Sequence, residues 1–311
     1  MGTAFIFPGQ GSQSVGMGYE LFETYDAARE RFEIASERLD FDLLALMFGT
    51  NTSVSDPDQA LKQTAITQPA LYTHSLAAMA VLHDHGLEPD MAAGHSLGEY
   101  SALAAVGALS FEDGLQIVKR RGELMAEAGA RRPGSMAAVL GADDDEIERV
   151  CTAVSDEGEG VVQPANFNAP GQIVISGDSE AVETASDQIE GRAIPLPVSG
   201  AFHSPLMDYA RDGLAQVIDR VGIRKPSCPV YLNVTAEPTT DPEDIRARLL
   251  DQLNAPVRWA QSVRRMHEDG ATRFVEVGAG TVLQGLVRRT LGAEVETAGA
   301  GTPEEIEALI G

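Results

Sequence analysis

Short apolar runs and long stretches of helical spacing alternate along this chain. Residues 4–7, Ala-Phe-Ile-Phe, form an apolar run of strand length that stops at the turn signal Pro8-Gly9. Helical periodicity dominates residues 19–48. It returns over 69–83, where Pro69 suits the first helical position with Thr67 nearby as a cap. Residues 91–94 read as a second buried strand, running directly into His95-Ser96-Leu97-Gly98-Glu99 and a helix to about residue 109. A further helix is expected over 112–128. Strands and helices in this alternation predict an α/β fold built on a parallel sheet.

Residues 132–197 have a different rhythm: strand 135–140, helix 143–154, strand 161–166, strand 173–176, helix 180–189, strand 193–196. Asn168-Ala169-Pro170-Gly171 joins the two middle strands, and Pro-Gly suits the centre of a type II turn. This β-α-β-β-α-β order is the ferredoxin-like arrangement. The expected organisation is a larger α/β domain over 1–131 and 198–311, interrupted by a ferredoxin-like subdomain over 132–197. The larger domain continues with strand 229–233, helices 241–251 and 257–269, strand 273–277 and helix 281–291.

Composition narrows the function classes. The 311 residues are 43% hydrophobic and 23% charged, which excludes a disordered chain, a collagen or a coiled-coil rod. No window approaches the ~18 consecutive apolar residues of a membrane span. The first eight residues lack the basic start of a secretory signal. A soluble, cytoplasmic protein is expected. The net charge of −24 makes nucleic acid and anionic membrane poor partners. Only three basic residues are lysines, Lys62, Lys119 and Lys225, against 20 arginines. Many carboxylates with few lysines point to a surface adapted to high salt, where screening weakens self-repulsion. Cys151 and Cys228 have no metal or redox spacing and read as buried small hydrophobes.

Gly94-His95-Ser96-Leu97-Gly98 matches G-x-S-x-G between an expected strand and an expected helix, the context that gives this motif meaning. The flanking glycines would permit a sharp turn presenting Ser96 as a nucleophile. Leu97 would supply one backbone N–H of an oxyanion hole. The loop Gly9-Gln10-Gly11-Ser12-Gln13 suits the second donor. It lacks the Gly-Lys-Ser/Thr of a phosphate loop. A serine needs a base. Of six histidines, His83, His85 and His267 read as solvated surface, His74 lies within a helix, and His95 is expected to point away from the nucleophile. His203 stands in the loop Gly200-Ala201-Phe202-His203-Ser204-Pro205, the kind of place where catalytic groups gather.

Helical spacing places Arg121 on the apolar stripe with Ile117, Val118, Leu124 and Met125, whereas Arg120 lines up with Gln116, Glu123 and Glu127. An inward arginine is expensive without an anionic partner. That partner is either a structural carboxylate or a substrate carboxylate held by the guanidinium fork.

Together these residues closely resemble the malonyl-CoA:acyl carrier protein transacylase family. The matching segments are Phe7-Pro8-Gly9-Gln10-Gly11-Ser12-Gln13, Gly94-His95-Ser96-Leu97-Gly98-Glu99-Tyr100, Arg121-Gly122, Asn166-Phe167-Asn168-Ala169-Pro170-Gly171-Gln172, Gly200-Ala201-Phe202-His203-Ser204 and Glu276-Val277-Gly278. The resemblance implies an α/β-hydrolase-like large domain and a ping-pong transfer without metal or bound cofactor. Ser96, activated by His203, would take the malonyl group from malonyl-CoA as an ester. The phosphopantetheine thiol of acyl carrier protein would then remove it. The resemblance also implies oxyanion donors at Gln10 and Leu97, a carboxylate-binding Arg121, and a Gln252 backbone carbonyl orienting His203. It further implies that Phe202 fills the space an α-methyl group would need.

Three rivals differ in what they require. A serine esterase or thioesterase needs an acidic triad member and no Arg121. A polyketide-type acyltransferase acting in trans shares the chemistry and differs in its carrier. A catalytically silent carrier-binding module has no use for Ser96, His203 and Arg121 together. An acidic carrier would need local basic patches on so acidic a protein; Arg131-Arg132, Arg224-Lys225, Arg264-Arg265 and Arg288-Arg289 are the available pairs.

Overall fold

The computed structural model describes residues 2–50, 54, 56–158, 160–198 and 200–311. Among these the strands, in chain order, are β1 (Gly2–Phe7), β2 (Met91–Gly94), β3 (Ser135–Leu140), β4 (Val162–Ala169), β5 (Gln172–Gly177), β6 (Arg192–Pro195), β7 (Val230–Tyr231), β8 (Pro238–Thr239), β9 (Ala271–Glu276) and β10 (Glu296–Gly299). Six form one sheet in the order β10-β9-β1-β2-β7-β8, parallel except for β8. The period of two along β1 explains its burial on both faces. Phe5 and Phe7 join the main core, while Ala4 and Ile6 pack on the opposite face with Trp259 and Phe274.

The second sheet, β4-β5-β3-β6, is wholly antiparallel and carries the helices Asp144–Asp156 and Ser179–Gln188, the expected ferredoxin-like arrangement. One face packs Val139, Ile173 and Ile175 against Ile147 and Cys151 of the first of these helices. The other presents Met136, Ala165 and Val174 to the main core. β4 is also tied to the segment before the Trp259–Glu268 helix. Phe167 N–H donates to Val257 O at 2.9 Å, and Val257 N–H donates to Ala165 O at 2.8 Å. Gly171 has φ 66°, as a type II turn at Pro170-Gly171 requires.

Several boundaries differ from those the pattern predicts. The stretch 19–48 is three helices, Tyr19–Thr24, Asp26–Arg38 and Leu43–Phe48. Pro69 is not at a helix start: the helix runs Thr64–Asp84 and Pro69 lies inside it. Sixteen of its residues are buried, so tertiary packing outweighs the hydrogen bond that proline cannot donate. Thr67 is not a cap; its hydroxyl donates to Leu61 O and Gln63 O. The strand expected over 229–233 ends at Tyr231, leaving Asn233 in a turn. Among the described residues, no helix is long and apolar enough to cross a membrane.

Candidate active site

β1 and β2 lie side by side with Phe7 opposite Gly94, so the loops leaving their carboxyl ends meet. That edge of a parallel sheet is where ligands of α/β proteins bind. The glycines of the β2 loop serve close approach. A Cβ placed at Gly94 would lie 1.9 Å from the Gly98 carbonyl oxygen, and one at Gly98 would lie 2.0 Å from Phe7 O. The backbone strain falls on Ser96 itself, at φ 52°, rather than on the flanking glycines. His203 has φ 57°, and Ala236, at φ 58°, is the remaining non-glycine residue at positive φ among those described. Such conformations cost about 1–3 kcal/mol each and persist only where the surroundings over-determine them.

Ser96 Oγ lies 2.8 Å from His203 Nε2. His203 Nδ1 lies 2.8 Å from the backbone carbonyl of Gln252. A carbonyl can only accept, so Nδ1 carries the proton and Nε2 is free to accept from the Ser96 hydroxyl. Burial, aided by the positive Arg121, pulls the His203 pKa down to about 3. The imidazole is therefore neutral and ready to take a proton. Gln163, on β4, donates from Nε2 to His203 O at 2.8 Å and to Asn254 O at 3.0 Å, pinning the histidine loop to the loop that follows Gln252.

Arg121 projects from the Phe111–Arg131 helix and is 1% exposed. Nη1 donates to Gln68 Oε1 at 2.9 Å, and Nη2 to Gln252 Oε1 at 2.9 Å and Ser96 Oγ at 3.1 Å. Among the described residues its Nε has no hydrogen-bond partner and no carboxylate lies within ion-pair distance. Burial lowers its pKa, opposed by Tyr100 and by Glu99. Glu99 is itself pushed up to about 8, because burial outweighs the Asn233 N–H and the nearby Arg121, which favour its charged form. Arg120, by contrast, pairs with Glu123 at 2.9 Å and Glu127 at 3.0 Å on the outer face.

Ser96, His203, Arg121, Gln10, Leu97 and Phe202 all line one cavity of about 120 Å³. Met125, Met136 and Leu196 supply its apolar wall. Among the described residues, no protein acceptor takes the backbone N–H of Gln10 or of Leu97, and Leu97 stands at the N-terminus of the helix Gly98–Ala105. Larger clefts open elsewhere, one of about 480 Å³ beside His83 and one of about 410 Å³ beside His74, but among the described residues neither histidine is hydrogen-bonded to a serine.

The other histidines divide as follows. His83, His85 and His267 are exposed. His74 is buried, bonded through Nε2 to Gly301 O and held down to about 4 by burial. His95 does not point away from the site. It lines the same cavity, with Nε2 2.8 Å from Asn168 Oδ1 and its ring 5.6 Å from that of Trp259. The left-handed turn at Ser96 breaks the strand alternation that would have put neighbours on opposite sides. Cys151 and Cys228 are free and buried, and burial pushes both thiols up to about 12.

Sequence reasoning missed the amides Gln68, Gln163 and Asn233 and the buried Glu99. Only Glu99, next after the serine motif, carried any local signal.

The chain matches the family model described as acyl transferase domain over residues 4–304. A malonyl CoA-acyl carrier protein transacylase of Bacillus subtilis is 45% identical over 99% of this chain and 96% of its own length. The structure of an acyl carrier protein S-malonyltransferase from Vibrio cholerae superposes with a TM-score of 0.92 at 40% identity, covering 99% of this chain and all of that one. A malonyl-transacylase solved in complex with a type II PKS acyl-carrier protein superposes at 0.91 with 37% identity, covering 100% of this chain and 99% of that one.

Proposed function

The chain belongs to the acyl transferase domain family, and on that premise we propose that it moves a malonyl group from coenzyme A to the phosphopantetheine thiol of acyl carrier protein through an ester on Ser96. This is a step of fatty-acid synthesis. In the first half-reaction Ser96 Oγ attacks the thioester carbonyl carbon while His203 Nε2 takes the hydroxyl proton. The N–H groups of Gln10 and Leu97 receive the oxyanion. The C–S bond breaks, and His203 returns its proton to the departing coenzyme A thiolate. In the second half the carrier thiol gives its proton to His203 and attacks the ester. The C–O bond breaks and Ser96 recovers the proton. The carbonyl of Gln252 keeps His203 in the required tautomer throughout.

The observation that carries this reading is the buried, carboxylate-free Arg121 beside the serine hydroxyl. The free carboxylate of a malonyl group supplies the missing anion, and the guanidinium fork fixes which end of the acyl group faces Ser96. An esterase triad would set a carboxylate on His203 Nδ1, where a backbone carbonyl stands instead. A cavity of about 120 Å³ suits a short acyl group, and Phe202 in its lining would crowd an α-methyl branch. The domain division at 132 and 197 belongs to the same proposal, supported by four antiparallel strands that all fall within it.

The test is carrier dependence. Coenzyme A release from malonyl-CoA should stop after one equivalent and resume as turnover when phosphopantetheinylated carrier is added. Steady release without any carrier would make the protein a hydrolase.

A further inference from the structure

The strained turn that presents Ser96 is held from outside its own strand and helix. β7 runs parallel to β2 with Tyr231 opposite Ala93, so the chain just beyond Tyr231 comes alongside the serine loop. Asn233 lies there, 1% exposed. Its Oδ1 accepts the Ser96 N–H at 2.7 Å, and its Nδ2 donates to Gly94 O at 2.6 Å. Its backbone N–H donates to Glu99 Oε2 at 2.6 Å. The Asn233 carbonyl accepts from Arg258 N–H at 2.9 Å, so the clamp is itself anchored.

A residue at φ 52° turns its neighbouring peptide groups out of the ladders on either side, and buried peptide groups must find partners elsewhere. Gly94 O and Ser96 N–H are two such groups, and one amide side chain satisfies both. An amide is suited to this because it offers an acceptor and a donor side by side. We propose that Asn233 is a positioning residue for acyl transfer: it fixes the peptide that enters Ser96. Oγ then stays on His203 Nε2, and the following N–H, that of Leu97, is left for substrate. The inference rests on the reading of Ser96 as nucleophile.

Asn233 is not among the residues lining the cavity, so it acts through Ser96 and has no contact through which to bind donor. That separates it from Arg121 and sets the test, because an interaction made only through the reacting geometry changes kcat rather than KM. Steady-state transfer from malonyl-CoA to phosphopantetheinylated carrier would be measured for wild type, Asn233→Ala, Asn233→Asp and Ser96→Ala, with acyl-adduct formation and thermal unfolding of each. Asn233→Ala should lower kcat at least tenfold with KM within twofold of wild type. Asn233→Asp keeps an acceptor for the Ser96 N–H, loses the donor to Gly94 O, and should fall between the two.

If the alanine variant does not fold, the aspartate variant decides alone, with the same split between kcat and KM. A folded variant with kcat within twofold of wild type overturns the proposal, as does an unfolding temperature that drops while kcat holds. A kcat and KM that worsen together overturn it too. Ser96→Ala distinguishes the two levels. If it still forms an acyl adduct, the nucleophile reading fails. If it forms none while Asn233 variants load normally, only the role of Asn233 fails.

Discussion

Ser96 and His203, 107 residues apart in sequence, are both left-handed in backbone, and their side chains meet at 2.8 Å. Each carries its strain under a side-chain amide from another element: Asn233 holds the peptide at Ser96, and Gln163 holds the carbonyl of His203. Strain of this kind, distributed over two loops and gripped from the second sheet and from the turn after β7, keeps the pair in register before any substrate arrives.

The first prediction concerns pH. The neutral imidazole is the active form, and a His203 pKa near 3 keeps it neutral far below the ordinary histidine value. Serine loading should therefore change little between pH 7 and pH 5, where a base of pKa 6.5 would lose about 25-fold. A limb centred near 6.5 in the pH profile of kcat/KM would contradict this.

The buried histidines and the buried glutamates tilt the pH dependence of stability in opposite directions. His203 and His74 have folded pKa values depressed to about 3 and about 4. Below 6.5 the unfolded chain binds protons that the folded one refuses, so stability declines as pH falls through the window from 6.5 toward 3. Glu99 and Glu276 are raised by burial to about 8 and about 7. The stability linked to their protonated forms is full below 4.5 and is lost as pH rises through 7 and 8. Glu99→Gln should remove the share of the decline that Glu99 contributes between about pH 4.5 and 8 in denaturant titrations, and an unchanged slope would refute that origin.

Arg121→Ala should cut loading from malonyl-CoA by about 10²–10⁴-fold, the range of a buried charge pair broken on one side. Acetyl-CoA has no carboxylate to lose, so selectivity should collapse. Arg121→Lys should not restore it, because an ammonium cannot reproduce contacts in a planar fork. Loading rates with the two donors provide the measurement.

Phe202 is 6% exposed and lines the cavity. Phe202→Ser should raise the relative use of methylmalonyl-CoA by about 10-fold or more, as one methyl group in an apolar pocket is worth roughly 1–3 kcal/mol. Competition between methylmalonyl-CoA and malonyl-CoA reads this directly, and an unchanged ratio removes Phe202 from specificity.

A net charge of −24 should make stability rise from low to molar potassium chloride as self-repulsion is screened. An unfolding temperature that does not improve over that range would argue against adaptation of the surface to salt.

The parts of the site that were legible in the sequence are those with local rules. G-x-S-x-G ties Ser96 to a strand–helix turn, and the position of Arg121 on its helix follows from spacing alone. The β-α-β-β-α-β order likewise announced the second sheet. His203 stands in a loop with no periodicity and is oriented by a backbone carbonyl, which leaves no side-chain signature. Gln163 and Asn233 act on groups 40 and 137 residues away, so nothing in their own neighbourhoods marks them. The pattern misled at Pro69, where burial on every side of a helix erases the periodic signal that would mark its true start. It misled at His95 too, where one left-handed residue cancels strand alternation.

Mass spectrometry of the intact protein after brief exposure to malonyl-CoA, with acetyl-CoA in parallel and Ser96→Ala as control, bears most directly on the central claim. We expect a malonyl-sized adduct that disappears in Ser96→Ala, with little acetyl adduct. Equal labelling by both donors would contradict the role of Arg121, and an adduct that survives in Ser96→Ala would contradict the seryl ester itself.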